Sequence, residues 1–380
     1  MKTTKTFHEV NYMKKKTVLK WTGRILLILL VLLLLFTLVT FIVHRVKTSQ
    51  EVASLKEKGY YNPVSVGDYS LNTAIFGNPE GEHTIVGLAG LGMGDYAVTA
   101  RQMTACLEEE NKIVFIDRAG YGFSDDTEND MTLEYIVEDY RKALQNAGIE
   151  GPYILMPHSI GGAYANYWVS HYPEEIEGIV FVDGSQLSAD AFSEEESYEI
   201  GIGDRFLSVL AKLGFSRYVL REYQDLYPDH CTEEEQYLGD ALTLMTLDSL
   251  ATTSESGRLG EIAHEAFDGI VTNDVPKLYI CASWGVQTKE DLIERNKWRN
   301  RQIEINDMDM EPFPLEYTDA EAAEILQEYE EARQDILVPY IEKMGSCELV
   351  CLNGDHLIYQ QKPEECGEII KEFIAEIEQE

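Results

Sequence analysis

From Ile25 to Val43 the chain reads ILLILLVLLLLFTLVTFIV, nineteen residues without a charge. A run of ~20 apolar residues matches the thickness of a bilayer core. In hydrocarbon every backbone N–H and C=O must be bonded within the segment, so a helix is the form this run can take. Residues 25–43 are therefore read as a transmembrane signal anchor. A cleavable signal peptide carries a shorter apolar region, ~7–15 residues, followed by an Ala-x-Ala-like site; Glu51-Val52-Ala53 matches such a site poorly. Lys2, Lys5, Lys14, Lys15, Lys16, Lys20 and Arg24 precede the run, whereas Arg45 and Lys47 follow it. The positive-inside bias then puts a short basic N-terminus, 1–24, in the cytoplasm. The expectation is a single-pass protein of the cell membrane with its large domain on the extracytoplasmic side.

Charge divides the chain at the same place. The first 47 residues hold nine Lys/Arg and one acid, Glu9; the remainder holds 22 basic and 66 acidic residues. Such an acidic surface disfavours nucleic acid, whose phosphates need Lys and Arg to neutralise them, and it repels strongly anionic substrates. The acid excess reads as solubility rather than as a cation site. Apolar residues make up 44% of the chain, enough for a sizeable core. Cys106, Cys231, Cys281, Cys347, Cys351 and Cys366 include no Cys-x-x-Cys pair, so neither a zinc site nor any other metal or cofactor is expected. Cys347 and Cys351 share one face of a predicted strand, too far apart to bridge; disulfides otherwise stay open.

After a connector, 44–59, short apolar runs alternate with stretches of helical periodicity. The runs are Leu71–Phe76, Thr84–Leu88, Ile113–Ile116, Tyr153–Met156, Gly178–Val182, Lys277–Cys281 and Glu348–Leu352; the helical stretches are Tyr96–Glu110, Thr132–Ala147, Gly162–His171 and Pro363–Ile377. This alternation predicts an α/β class with a mostly parallel sheet flanked by helices. The core is assigned to 60–185 and 274–380. Residues 186–273 interrupt it with amphipathic pieces such as RFLSVLAKLGF and are read as a helical cap. A second insertion, Trp284 to Gly345, ends in a long helix opened by a Thr-Asp cap and carrying Pro339.

The stretch Ile154 to Gly162, ILMPHSIGG, runs from an apolar strand through x-Ser-x-Gly-Gly into a helix. That context exposes a serine hydroxyl at a tight strand-to-helix corner, and the amide of Ile160 at the helix start can meet a developing oxyanion. Pro157 removes a strand N–H, but its fixed φ suits an extended strand end. A serine hydroxyl needs an imidazole to take its proton and a carboxylate to orient that imidazole. His356 follows the strand Glu348–Leu352 and precedes the last helix, on the rim that strand carboxyl ends share. It is the expected base. His158, next to the serine, is read as structural, and His83, His171, His230 and His264 have no comparable setting. The loop GLAGLGMGD, Gly87 to Asp95, lacks a following Gly-Lys-Ser/Thr and so is not read as a phosphate cradle; it is expected to offer the amide of Leu91 to the oxyanion.

The order of these segments, with IDRAGYGFSD (Ile116 to Asp125) between loop and elbow, IVFVDGSQ after it and NGDHLIYQQKPEE near the end, resembles the α/β-hydrolase superfamily of the abhydrolase-1 type over residues 60 to 380. Ala89 and Pro157 depart from the family's His-Gly loop and Gly-x-Ser-x-Gly. The resemblance implies a capped pocket that cleaves esters or amides. Most of the superfamily carries the triad acid after the strand that here is Lys277–Cys281, where Glu290 and Asp291 are the available carboxylates; a minority carries it after the strand Gly178–Val182, where Asp183 stands. Asp183 leads, with Glu290 or Asp291 as alternatives. The leading expectation is a membrane-anchored serine esterase acting on a small-molecule ester. Two alternatives are a prolyl-type aminopeptidase, using cap acids such as Glu194, Glu195, Glu196 and Asp204 to hold an amino terminus, and a catalytically silent hydrolase fold serving as a binding module.

Overall fold

The computed structural model describes residues 7–188, 199–219, 231–247, 249–305 and 310–379. Helix α1, Phe7–Glu57, is continuous through the apolar run, whose side chains stand largely bare of protein contact. The connector 44–59 is helical as far as Glu57. It has no Gly or Pro before Gly59 and is rich in good helix formers. It also has something to pack against: Thr40, His44, Glu51 and Leu55 recur on one helical face and are buried.

An eight-stranded sheet follows, built from β1 (Pro63–Ser65), β2 (Ser70–Gly77), β3 (Thr84–Leu88), β4 (Lys112–Ile116), β5 (Tyr153–Ser159), β6 (Ile176–Gly184), β7 (Lys277–Cys281) and β8 (Cys347–Cys351), in the spatial order β1-β2-β4-β3-β5-β6-β7-β8. β2 runs antiparallel to both its neighbours and every later pair is parallel. Side-chain alternation splits the core in two. Val86, Val114, Leu155, Ile179 and Phe181 face α2 (Leu133–Ala147) and α3 (Gly161–His171), while Ile85, Ile113, Ile154, Val180 and Val182 face the C-terminal helix. The sheet is thus covered on both faces, as a parallel sheet requires.

The expected helix Tyr96–Glu110 is broken into two single turns, Tyr96–Thr99 and Arg101–Thr104, and a 3₁₀ turn. Thr99 and Thr104 each fold a hydroxyl back onto a preceding carbonyl, competing with helix continuation. Between β6 and β7 the described residues form α4 (Ile202–Lys212), α5 (Ser216–Val219), α6 (Glu233–Thr246), α7 (Leu250–Gly257) and α8 (Leu259–Asp268). Between β7 and β8 lie α9 (Lys289–Ile305), α10 (Asp319–Ala332) and α11 (Val338–Met344). A π turn, Arg333–Leu337, joins the last two and accommodates Pro339, which has no N–H for the helix. α12, Pro363–Ile377, closes the chain. All six cysteines are free thiols.

Candidate active site

β5 ends on Ser159, whose φ is +52°. A non-glycine residue in this left-handed region costs about 1–2 kcal/mol, and the surroundings hold it there. The Ser159 carbonyl accepts from the Ser185 amide at 2.8 Å, tying the corner to the end of β6. α3 starts two residues on, so close to β3 that a Cβ on Gly161 would stand 2.5 Å from the Leu88 carbonyl oxygen. That is the approach for which this corner needs glycine. Pro157 lies opposite Leu88 at the end of the β3–β5 ladder, where its missing N–H interrupts little of the sheet.

Asp183 is placed by a β-bulge. His158 pairs with Val182 and Ser159 with Gly184, leaving Asp183 as the extra residue on β6, with φ +44°. A bulge re-aims a side chain, and here it aims the fully buried Asp183 carboxylate across the strand ends. One oxygen accepts from the amides of Ala282 (2.7 Å) and Ser283 (2.9 Å), just past β7; the other accepts from the Ser283 hydroxyl (2.5 Å) and from His356 Nδ1 (2.7 Å). Four donors on one carboxylate make its burial tolerable. The alternatives lie elsewhere. Asp291 accepts from the amides of Gln287 and Thr288 at the start of α9, and Glu290 is exposed on that helix. The structure brings Asp183, rather than Glu290 or Asp291, to His356.

His356 is half-exposed on its side-chain surface and its loop is held from two sides. His158, fully buried, donates Nε2–H to the His356 carbonyl at 2.9 Å, and the two rings lie 4.6 Å apart. Burial first, and then the neighbouring His356, push the His158 pKa down to about 3, so it is neutral at working pH. Its role is positioning. From the other side, Arg299 of α9 grips Asp355 through two bonds of 2.5 and 3.1 Å, and Asp355 accepts the His356 amide at 2.9 Å.

The oxyanion loop is shaped by a residue whose role sequence reasoning missed. Arg118, almost wholly buried, donates to the carbonyls of Ala89 (2.7 Å) and Gly90 (2.8 Å). The Gly90 carbonyl and the Leu91 N–H belong to one peptide plane, so holding that carbonyl on one side points the Leu91 amide to the other. Gly90 packs so tightly that a Cβ there would stand 2.9 Å from His158 Nδ1 and 3.0 Å from Ser159 Cβ. The amides of Leu91 and Ile160 have no acceptor among the described residues. Arg118 is itself neutralised from the cap: Glu255 of α7, with no exposure, meets its Nε at 3.1 Å and accepts from the Tyr164 hydroxyl at 2.5 Å. The cap thus supplies the counter-charge to the arginine that fixes the loop Gly87 to Asp95. The signal was present in the quoted segment IDRAGYGFSD, but its partners were not.

Other expected groups lie away from this rim. His83 sits at the opposite, N-terminal edge of the sheet with Nδ1 on Glu177 and Nε2 on Glu378, each at 3.0 Å. Glu82, His83 and Glu378 converge there, but both ring nitrogens are occupied by carboxylates. Asp204 caps α4 by accepting the Gly201 amide at 2.7 Å. Glu194, Glu195, Glu196 and His230 lie outside the described residues. A cavity of about 590 Å³ between α1, the cap and the 120–126 loop is lined by neither Ser159 nor His356.

Residues 85–211 match the family model of the alpha/beta hydrolase fold. Over 183 residues the chain is 34% identical to the uncharacterised protein YbdG of Bacillus subtilis (strain 168), a match covering 47% of this chain and 54% of that protein. The chain therefore spans about half the length of this relative. Among solved structures it is similar to a membrane phospholipase A described as a bacterial virulence factor (TM-score 0.51, 14% identity, 92% of this chain and 98% of that one). It is similar also to a structure from a study of carboxylesterases of Nitrososphaera gargenis (TM-score 0.51, 16% identity, 84% and 99%). These likenesses establish the fold and support a hydrolase. The chain is an α/β-hydrolase-fold protein, with one long apolar helix ahead of the fold.

Proposed function

We propose that the chain is a membrane-anchored serine hydrolase that cleaves a carboxylic ester through an acyl-serine intermediate, its catalytic domain outside the cytoplasm. The observation that carries the reading is the 2.7 Å bond from His356 Nδ1 to a buried carboxylate placed by a bulge beside the Ser159 corner. With Nδ1 held by Asp183, Nε2 is the lone pair left to accept a proton. Ser159 Oγ attacks the ester carbonyl carbon as its proton passes to His356 Nε2. The tetrahedral oxyanion is held by the amides of Leu91 and Ile160, at the positive end of α3. Collapse breaks the C–O bond, His356 returns the proton to the leaving alkoxide, and water, deprotonated by the same nitrogen, then releases the acid. Displacement of a halide or opening of an epoxide would need a carboxylate nucleophile, which this corner lacks.

A fluorophosphonate probe should label the parent protein and fail on Ser159→Ala, with ester turnover falling about 10⁴-fold or more. If folded parent protein takes no label and hydrolyses no member of a broad ester panel, the fold serves binding instead. Turnover confined to proline arylamides would favour the aminopeptidase.

A further inference from the structure

We propose that α4 and α5 of the cap form a second membrane-contacting element, laid in the outer leaflet against α1. The proposal rests on the reading of residues 25–43 as a transmembrane segment.

The first observation is that α4 is inverted. A surface helix normally turns its apolar stripe to the core, but here Ser208 is 2% exposed while Ile202 is 88%, Phe206 61% and Val209 53% exposed. These apolar positions recur at helical spacing on one face. Beside that face, on its flank, Arg205 and Lys212 reach Glu128 and Asp126 of the core loop, at 3.2 Å each, while Asp204, Ser208 and Ala211 form the covered side. The side turned to the protein thus carries small and polar residues, and the large apolar residues are offered outward. Outside α1, half of the described large apolar residues that stand exposed lie on α4 and α5.

The second observation says what meets that face. Immediately after α4, Phe215 and Tyr218 close on Phe36 of the apolar run, each with ring centroids 5.9 Å away, and Tyr218 shares a 3.1 Å hydrogen bond with Thr40. Phe36 lies seven residues before the end of the run, about 10 Å inside it at the rise of an α-helix. The cap residues touching Phe36 are therefore at acyl-chain depth when the run is embedded. Phe215 and Tyr218 thus seat the end of α4 against the apolar run, and the occupant assigned to the outward face of α4 is the one that meets the run, lipid.

The third observation is that the height is fixed. Gly214 packs against α1 so closely that a Cβ would stand 2.4 Å from His44 Cβ. Arg217 of α5 bonds His44 Nδ1 (2.9 Å), Thr48 Oγ1 (3.0 Å) and both oxygens of the buried Glu51 (2.8 and 2.7 Å), and Tyr237 of α6 donates to Glu51 at 3.0 Å. The cap cannot rise off α1 without exposing this buried charge pair. The geometry is that of an interfacial helix, with an apolar face in the acyl boundary and a polar face turned away from it.

The test uses the full chain reconstituted in phosphatidylcholine vesicles, with benzoylphenylalanine in place of Phe206, of Leu30 in the apolar run, or of Glu376 on α12. Each variant is first shown to melt with the parent. On irradiation, lipid adducts at positions 206 and 30 should both exceed those at 376 by about tenfold. Lipid adducts at position 30 without them at 206, or adducts from 206 only to protein within one chain or between two copies, would overturn the proposal and leave the anchor intact. Lipid adducts at neither position would overturn the anchor reading and this proposal together.

Discussion

At the strand ends Asp183, Glu255 and His158 are polar groups with no exposure; on α4, Ile202, Phe206 and Val209 are apolar groups with more than half of their surface bare. Both regions depart from the rule that oil goes inside and charge outside, and both departures are held by design in the backbone. The two buried carboxylates are closed by hydrogen bonds, four to Asp183 and, on Glu255, one from Arg118 and one from Tyr164, while the neutral His158 bonds through Nε2 alone. The apolar exterior has no such closure among the described residues. A buried polar group finds its partner in the fold, whereas an exposed apolar face points to a partner beyond it.

Four substitutions of graded effect test that contrast, beginning at the rim. Asp183→Asn should lower kcat by about 10³–10⁴-fold by depriving His356 of its orienting carboxylate, measured on whichever ester the parent hydrolyses best. Near-normal turnover in a folded variant would remove Asp183 from the triad, and Glu290→Gln and Asp291→Asn should stay close to the parent. Next, Glu255→Gln leaves Arg118 buried without its counter-charge and should cost about 3–5 kcal/mol of stability. In the fraction that remains folded, kcat should fall more than KM rises, because the oxyanion loop is what Arg118 holds; an equal loss in a cap contact far from Arg118 would reduce Glu255 to general packing.

At the opposite edge the effect should be smaller and should depend on pH. Burial opposes protonation of His83, but its bonds to Glu378 and Glu177 outweigh burial and raise its pKa above 6.5. A raised histidine stabilises the fold fully below about pH 6.5, and the contribution is lost as pH rises through the raised value. The parent should therefore lose about 0.5–1 kcal/mol between pH 6 and pH 9 that His83→Gln does not lose, read as the difference in their melting temperatures across that range. The smallest effect belongs to the outward face: Phe206→Ser in detergent should change stability by less than about 0.5 kcal/mol. A loss of several kcal/mol there would mean that the face is packed by the protein, and the contrast drawn above would fail.

What the sequence made legible follows the range of each interaction. Ser159 and His356 are visible because a strand-turn-helix and a strand-end loop are local patterns. The acid was narrowed only to Asp183, Glu290 and Asp291, because the choice depends on how β5 and β6 slip past each other, a pairing between strands that leaves no local trace. Arg118 sat in a recognised segment, yet its meaning depends on carbonyls at 89 and 90 and on a cap carboxylate at 255. The amphipathic period of RFLSVLAKLGF is plain, but periodicity does not say which face turns outward. The helical form of the connector is hidden for the same reason: polar residues with good helix propensity become helix when a buried stripe fixes them, and that stripe is made by α5 and α6.

The extra residue on β6 also frees a neighbour. Because the carboxylate is carried there, the end of β7 contributes to the triad only two amides and one hydroxyl, all within Ala282 and Ser283. The excursion after Ser283 is therefore tied to this rim by Arg299, which grips Asp355, and to the core by Leu337, Tyr340 and Met344, but it carries no carboxylate to His356. The length between the end of β7 and His356 is thus uncoupled from the placing of the carboxylate, which β6 alone decides.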